Sequence, residues 1–158
     1  MNNPDRLNFK LQVLLNRTLR EVPCERAIVA LAGQGCTYGL NPGSIFTTAE
    51  LSLGLLQRAL DWGEAGVLDD ACHDETLGDR TSVLLSALRA VLFVPIRDHQ
   101  GRQVGMVYAD NRILAGAFDE GKVSRVQEIV EESLQGLELE LDDAGELDWA
   151  AFRTTHWN

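Results

Sequence analysis

Residues 89–111 read Arg-Ala-Val-Leu-Phe-Val-Pro-Ile-Arg-Asp-His-Gln-Gly-Arg-Gln-Val-Gly-Met-Val-Tyr-Ala-Asp-Asn. Two apolar runs flank a polar turn, which leaves the segment little choice but a β-hairpin. The first run, residues 90–96, is rich in β-formers, Asp98-His99-Gln100-Gly101 carries turn chemistry, and residues 104–109 return as the second strand. Pro95 has no N–H to give to a strand ladder, so it belongs at a bulge or facing a sheet edge.

Ahead of the hairpin the apolar period changes. Leu7, Leu11, Leu14, Leu15 and Leu19 recur at helical spacing, Asn3 can cap and Pro4 suits the first turn, which predicts a helix over 5–20 that Pro23 closes. Residues 24–32 read as a buried strand, and residues 33–43 as a loop or short second strand broken by Asn41-Pro42-Gly43. Thr47 and Glu50 have capping-box spacing and open a predicted helix over 47–62, with Gly63 as its stop. A third strand is expected at 67–70, a loop with one short helix over 74–88, and a long helix over 119–141. This order predicts an α+β fold: a central antiparallel sheet with helices packed on it, the N- and C-terminal helices together.

At 158 residues, with 45% hydrophobic and 24% charged side chains, the chain suits a single core. Residues 1–141 read as one domain. Residues 142–158 read as an acidic tail carrying Trp149, Phe152 and Trp157, either a disordered end or a short docking segment. No apolar run approaches the roughly 20 residues that cross a bilayer, and Met1-Asn2-Asn3-Pro4-Asp5 lacks the features of a signal peptide, so a cytoplasmic protein is expected. Cys24, Cys36 and Cys72 are odd in number and lack paired spacing, which suits reduced thiols. The net charge is −10, and between Asp119 and Asp148 eleven acidic residues face only Lys122 and Arg125. Nucleic acid is excluded as a partner, because phosphate binding needs a basic patch. The acidic stretch reads as a solvated helix face and tail, or as a surface for a basic partner.

Catalytic patterns find little support. Gly33-x-Gly35-x-x-x-Gly39 follows a strand, but a phosphate cradle needs a helix to begin there and Asn41-Pro42-Gly43 forbids it, so a plain turn is expected. Cys72-His73 lies among Asp69, Asp70, Asp74 and Glu75; neighbouring carboxylates raise a thiol pKa, and adjacent residues in extended chain point apart, so a structural cysteine is expected ahead of a metal ligand. There is no Gly-x-Ser-x-Gly, Walker loop or His-Glu-x-x-His, and His73, His99 and His156 are scattered. No catalytic residue, metal or cofactor is expected.

Arg89-Ala90-Val91-Leu92, Val94-Pro95, Gly101 and Gly105-Met106-Val107-Tyr108-Ala109-Asp110-Asn111 occur in an order that resembles the end of a GAF domain. Residues 52–60 resemble that family's helix, residues 66–71 its short strand and acidic turn, and Gly116-Ala117-Phe118-Asp119-Glu120 the turn opening its last helix. The resemblance spans about residues 22–140 and is closest to the GAF domains of bacterial signalling proteins that sit beside forkhead-associated, kinase or sigma-type activator modules. It implies a sensory or protein-interaction module and not an enzyme. It also implies that a small ligand, if bound, lies between the sheet and the segment after the third strand, near Asp70, Cys72, Thr76, Arg80, Ser82, Ser86, Arg89 and Tyr108. Asp110 and Asn111 match the motif and are expected to end the strand through side-chain-to-backbone bonds. Departures narrow the options. Lys122 and Val123 stand where cyclic-nucleotide-binding relatives carry an acidic pair, and the residues after Cys72-His73 do not continue the phytochrome pattern. Cys24 and Cys36 do not match the cysteine context of free methionine-sulfoxide reductases.

The expected function is a non-catalytic signalling domain acting by protein–protein interaction, as a homodimer or with a signalling partner. The alternative is a small-ligand or redox sensor near Cys72, with a reductase as a distant third. Leu7, Leu11 and Leu14 on the first helix, and Val126, Val130, Leu134, Leu137 and Leu141 on the last, recur at threes and fours as a dimer seam would. At 1.5 Å per residue the last helix would reach about 33 Å, longer than one sheet face needs, which assigns its later positions to a partner helix.

Overall fold

The computed structural model describes residues 3–32, 35–40, 63–68, 90–111 and 118–145. In chain order they form α1 (Asn3–Glu21), β1 (Arg26–Leu31), β2 (Gly35–Leu40), β3 (Gly66–Leu68), β4 (Ala90–Arg97), β5 (Gln103–Asn111), α2 (Glu120–Leu134) and α3 (Glu138–Asp142). The strands make one antiparallel sheet of five in the order β2-β1-β5-β4-β3, as the α+β reading requires.

The hairpin forms where its sequence placed it. β4 and β5 pair from Ala90↔Asn111 to Ile96↔Gly105, and the register then slips so that Arg97 faces Gln103. That bulge explains Pro95: it lies one residue from the slip and beyond Phe93, where the pairing of β3 with β4 stops. The turn is built by Asp98, whose Oδ1 accepts from the backbone N–H groups of Gln100 and Arg102, each at 2.9 Å. Gly101 supplies the left-handed conformation, with φ of 79°.

Alternation along the strands gives the sheet two faces. Ala27, Val29 and Leu31 of β1, Leu92, Val94 and Ile96 of β4, and Val107 and Ala109 of β5 join one apolar cluster with the α1 leucines and with Val126, Ile129 and Leu134 of α2. The second face, which carries Arg26, Ile28, Phe93, Met106, Tyr108 and Asp110, is buried as well. Burial on both sides is why β1 and β4 read as continuous apolar runs and not as alternating ones.

α1 and α2 lie together and run antiparallel: Arg6 Nη2 donates to the Gly136 carbonyl at 3.2 Å, Arg17 meets Glu132 at 2.7 Å, and Arg125 meets Glu21 at 2.6 Å. These pairs are part-exposed and worth roughly 0–1 kcal/mol each, so the apolar faces beneath them hold the helices in place.

The single helix expected over 119–141 is two helices. α2 stops at Leu134, Gln135 leaves the helix with ψ of 134°, and Gly136 adopts φ of 85° before the chain restarts as α3. A glycine able to enter the left-handed region just past a helix end is a strong stop signal. The extra length that pointed to a partner helix is therefore absent. Leu137 and Leu141 fold back into the chain's own core with Leu7, Leu11, Leu14, Val126 and Leu134, and Val130 packs partly buried against it. The domain edge drawn at residue 141 falls inside α3, which the hairpin turn grips: Arg102 Nη2 donates to the Asp142 carbonyl at 2.7 Å and the His99 N–H to Asp142 Oδ1 at 3.2 Å. The helices expected over 47–62 and within 74–88, and the aromatic tail, lie outside the described residues. No described helix is long and apolar enough to cross a membrane.

Val107 is 0% exposed and faces the helices. Val107→Asp would bury an unpaired charge at a cost of several kcal/mol, comparable with the whole stability of a domain. The expected outcome is loss of cooperative thermal unfolding by circular dichroism; a melting temperature within a few degrees of wild type would refute the packing described.

Candidate functional site

Register brings the polar residues of the second face together. Arg26 of β1 lies directly opposite Asp110 of β5, and Tyr108, two residues before Asp110, shares its face. Arg26 Nε donates to Asp110 Oδ1 at 3.1 Å and to Oδ2 at 3.0 Å, Arg26 Nη2 donates to Oδ2 at 2.5 Å, and the Tyr108 hydroxyl donates to the same oxygen at 2.8 Å. Arg26 is 1% exposed, Tyr108 and Asp110 0%. Burial pushes the Asp110 carboxyl upward against the opposing pull of the Arg26 guanidinium and the Tyr108 hydroxyl. Burial, the largest single influence, would lower Arg26, but the charge and hydrogen bonds of Asp110, with Tyr108 adding to them, together outweigh it and keep the guanidinium protonated. Tyr108 is raised well above the ordinary phenol range, first by burial and then by the Asp110 charge, so it remains a donor. Each group is committed to the others, which makes the cluster a fastener and a poor acid, base or nucleophile.

Neighbouring residues extend the fastening. Asn111 Nδ2 donates to the Pro23 carbonyl at 2.9 Å, and the Glu25 N–H donates to the Asp110 carbonyl at 2.9 Å. At Gly105 an added Cβ would collide with the Ala30 carbonyl oxygen, so only glycine lets β1 approach β5. The segment Gly105-x-x-Tyr108-x-Asp110-Asn111 thus acts as one device that docks β1. Asn111 behaves as its sequence suggested. Asp110 does not: its carboxylate takes a cross-strand arginine and not a backbone N–H, because burial demands a full countercharge. Arg26 went unnoticed in the sequence, although a lone arginine opening the apolar run 27–32 was the available signal.

Of the residues implied to line a ligand pocket, Tyr108 is described and fully buried. Asp70, Cys72, Thr76, Arg80, Ser82, Ser86 and Arg89 lie outside the described residues. The glycine run is no plain turn: Gly35 to Gly39 lie in β2, paired with Leu31 to Ala27 of β1. A strand and not a helix N-terminus follows Gly35, which removes the phosphate cradle. Among the described residues no cluster of histidine, cysteine and carboxylates could hold a metal. Cys24 is buried, and burial, with the Asp110 charge second, pushes its thiol up to about 12. It is therefore a thiol and not a nucleophilic thiolate at neutral pH.

Among the described residues, concave open surface lies on the helix side. Cavities of about 580, 710 and 880 Å³ follow one another along α2, facing the hairpin turn, then Pro95, then Val67 of β3. They share walls: Arg97, Val130 and Glu131 border the first two, and Ala65 and Gln127 the last two.

No protein family and no curated protein matches the sequence. Likeness appears in three dimensions. A GAF domain/HD domain protein from Geobacter sulfurreducens matches with a TM-score of 0.60 at 17% identity, over 87% of this chain and 93% of that one. A type II free methionine-R-sulfoxide reductase from Thermoplasma acidophilum matches with a TM-score of 0.62 at 14% identity, over 89% and 97%. The GAF domain of a two-component sensor histidine kinase from Bacillus halodurans matches with a TM-score of 0.53 at 14% identity, over 90% and 95%. Identities this low speak to fold, and the fold is the one the β4–β5 motifs implied.

Arg26→Met should cost about 3–5 kcal/mol in urea unfolding, because it strands the Asp110 charge. The triple change Arg26→Met, Tyr108→Phe, Asp110→Leu should recover most of that loss, since all three members of the cluster become apolar together. A triple variant no more stable than the single one would show that the cluster does more than fasten strands. Native Cys24 should resist iodoacetamide at pH 8 and react on unfolding. Its raised pKa also fixes a sign: between the ordinary 9.0 and about 12 the unfolded thiol ionises while the folded one does not, so Cys24 makes stability fall as pH rises through that window. Replacing Cys24 by alanine should flatten that alkaline decline in a denaturation series from pH 8 to 11.

Proposed function

We propose that this chain, which has the fold of GAF domains, is a non-catalytic regulatory domain that works by contact with another protein. The observation that carries the reading is the fate of the polar groups on the second sheet face. Tyr108 is fully buried with its hydroxyl given to Asp110, and Asp110 is in turn matched to Arg26, so a small ligand meeting these positions would have to break a built network. Chemistry is disfavoured at Cys24, because its thiol stays protonated. Among the described residues, accessible concave surface runs as a groove along α2, outside the sheet and long enough to take a segment of another protein. Self-association belongs to the same proposal but needs other residues than the leucine stripes. Among the described residues, Phe9 on α1 and Leu139 on α3, 57% and 77% exposed, are the large apolar side chains available to a second copy.

The test is affinity purification of the full chain from its own source, followed by native mass spectrometry. A stoichiometric protein partner and a chain mass equal to the bare polypeptide are the expected results. A small molecule retained at one per chain would overturn the proposal in favour of a ligand sensor. A turnover assay with methionine sulfoxide and a thiol reductant should show no activity, and activity abolished by Cys72→Ser would overturn the non-catalytic part.

A further inference from the structure

We infer that the groove along α2 docks a basic amphipathic helix of the partner protein; this rests on the regulatory reading above and names the chemistry of what is bound. Shape is the first ground. At 1.5 Å per residue the 15 residues of α2 make a wall about 22 Å long, room for about four turns of a second helix. Val123, Gln127, Val130 and Leu134 are spaced by four, three and four, and they border the groove in succession. Such a row is the ridge that a partner helix packs across. Its first three members lie off the α2 face already used, since Val126 and Ile129 are 0% exposed in the core whereas Val123 and Val130 are only partly buried and Gln127 is exposed; Leu134 closes the row at the edge of the core. Val67, Pro95 and Ile96 supply apolar contact on the strand side.

Charge decides the occupant. Glu64, Asp119, Glu120, Glu131, Glu132 and Glu138 line the groove against Arg97 and His99. Arg97 directs its guanidinium to the carbonyls of Gly63 and Gly101 and neutralises none of these carboxylates. Glu132 is matched to Arg17 and Asp119 caps the Lys122 N–H, but Glu64, Glu120 and Glu131 have no ion-pair partner among the described residues. A second copy of a chain with net charge −10 would add repulsion, while lysines and arginines flanking an apolar stripe meet both features at once.

The experiment uses the full chain and three fluorescent 16-residue peptides in anisotropy titrations: a Leu/Lys amphipathic helix, a scramble of the same composition without the stripe, and a Leu/Glu version. The amphipathic basic peptide should bind at least about tenfold more tightly than either control and weaken as salt screens the carboxylates. Glu64→Lys plus Glu131→Lys, both exposed and so compatible with an unchanged melt, should weaken it about tenfold. Equal binding of the scramble, or indifference to the double change, would overturn the docking site. So would a pre-existing dimer that the peptide dissociates, because the occupant would then be a second copy. A partner recovered equally by wild type and the double variant sinks the groove alone; a retained small molecule with no partner sinks the regulatory reading itself.

Discussion

Everything else in this fold is arranged around a charge pair out of reach of water. Arg26 and Asp110 face each other across β1 and β5, and a slip of one residue would turn one side chain to the other face and leave its partner buried alone. Apolar residues in the same strands would tolerate such a slip better, since Ala27, Ile28, Val29 and Ala30 are all fully buried and chemically alike. The pair therefore contributes specificity of register more than net stability. Gly105 and Asn111 act to the same end, one by letting the backbones close and the other by holding the chain that leads into β1.

Once that register is set, the first face of the sheet presents one apolar surface, and the two longer described helices cover it in opposite directions. They do not cover it to the edge. α2 leaves a channel beside β3 and the end of β4, and Arg97 spans the near side by bridging the turn at Gly101 to Gly63, three residues ahead of β3. Asp119, Glu120, Glu131, Glu132 and Glu138 of the acidic stretch thus come to lie along a channel, where charge and apolar surface alternate.

Local chemistry made the hairpin legible. Its β-formers, its turn residues and its proline each pointed to the same answer, and the motif that suggested the fold proved to consist of residues with separate mechanical tasks. The Arg26–Asp110 pair was not legible, because 84 residues separate its members and nothing in either neighbourhood announces the other. The terminal helix misled in a different way. Val123 to Leu141 keeps a spacing of threes and fours straight through Gln135-Gly136, and the apolar period outvoted a single glycine whose conformation stops the helix. Leu137 and Leu141 are apolar for the reason the pattern gave, burial, but what they are buried against is the chain itself.

The interruption at Gly136 alters how the domain can carry a mechanical signal. An unbroken helix is a shaft, stiff in twist and bending, and it would hand rotation along its axis straight past the sheet. Here the shaft is cut at Leu134, and α3 is pinned at Asp142 to Arg102 and His99 of the hairpin turn. Torque applied at Asp142 or Asp143 would pass through those two bonds to the β4–β5 hairpin, whose second strand carries Asp110, and through Leu137 and Leu141 into the core. A twist at this joint would therefore be shared between the hairpin turn and the core and not run along one continuous helix.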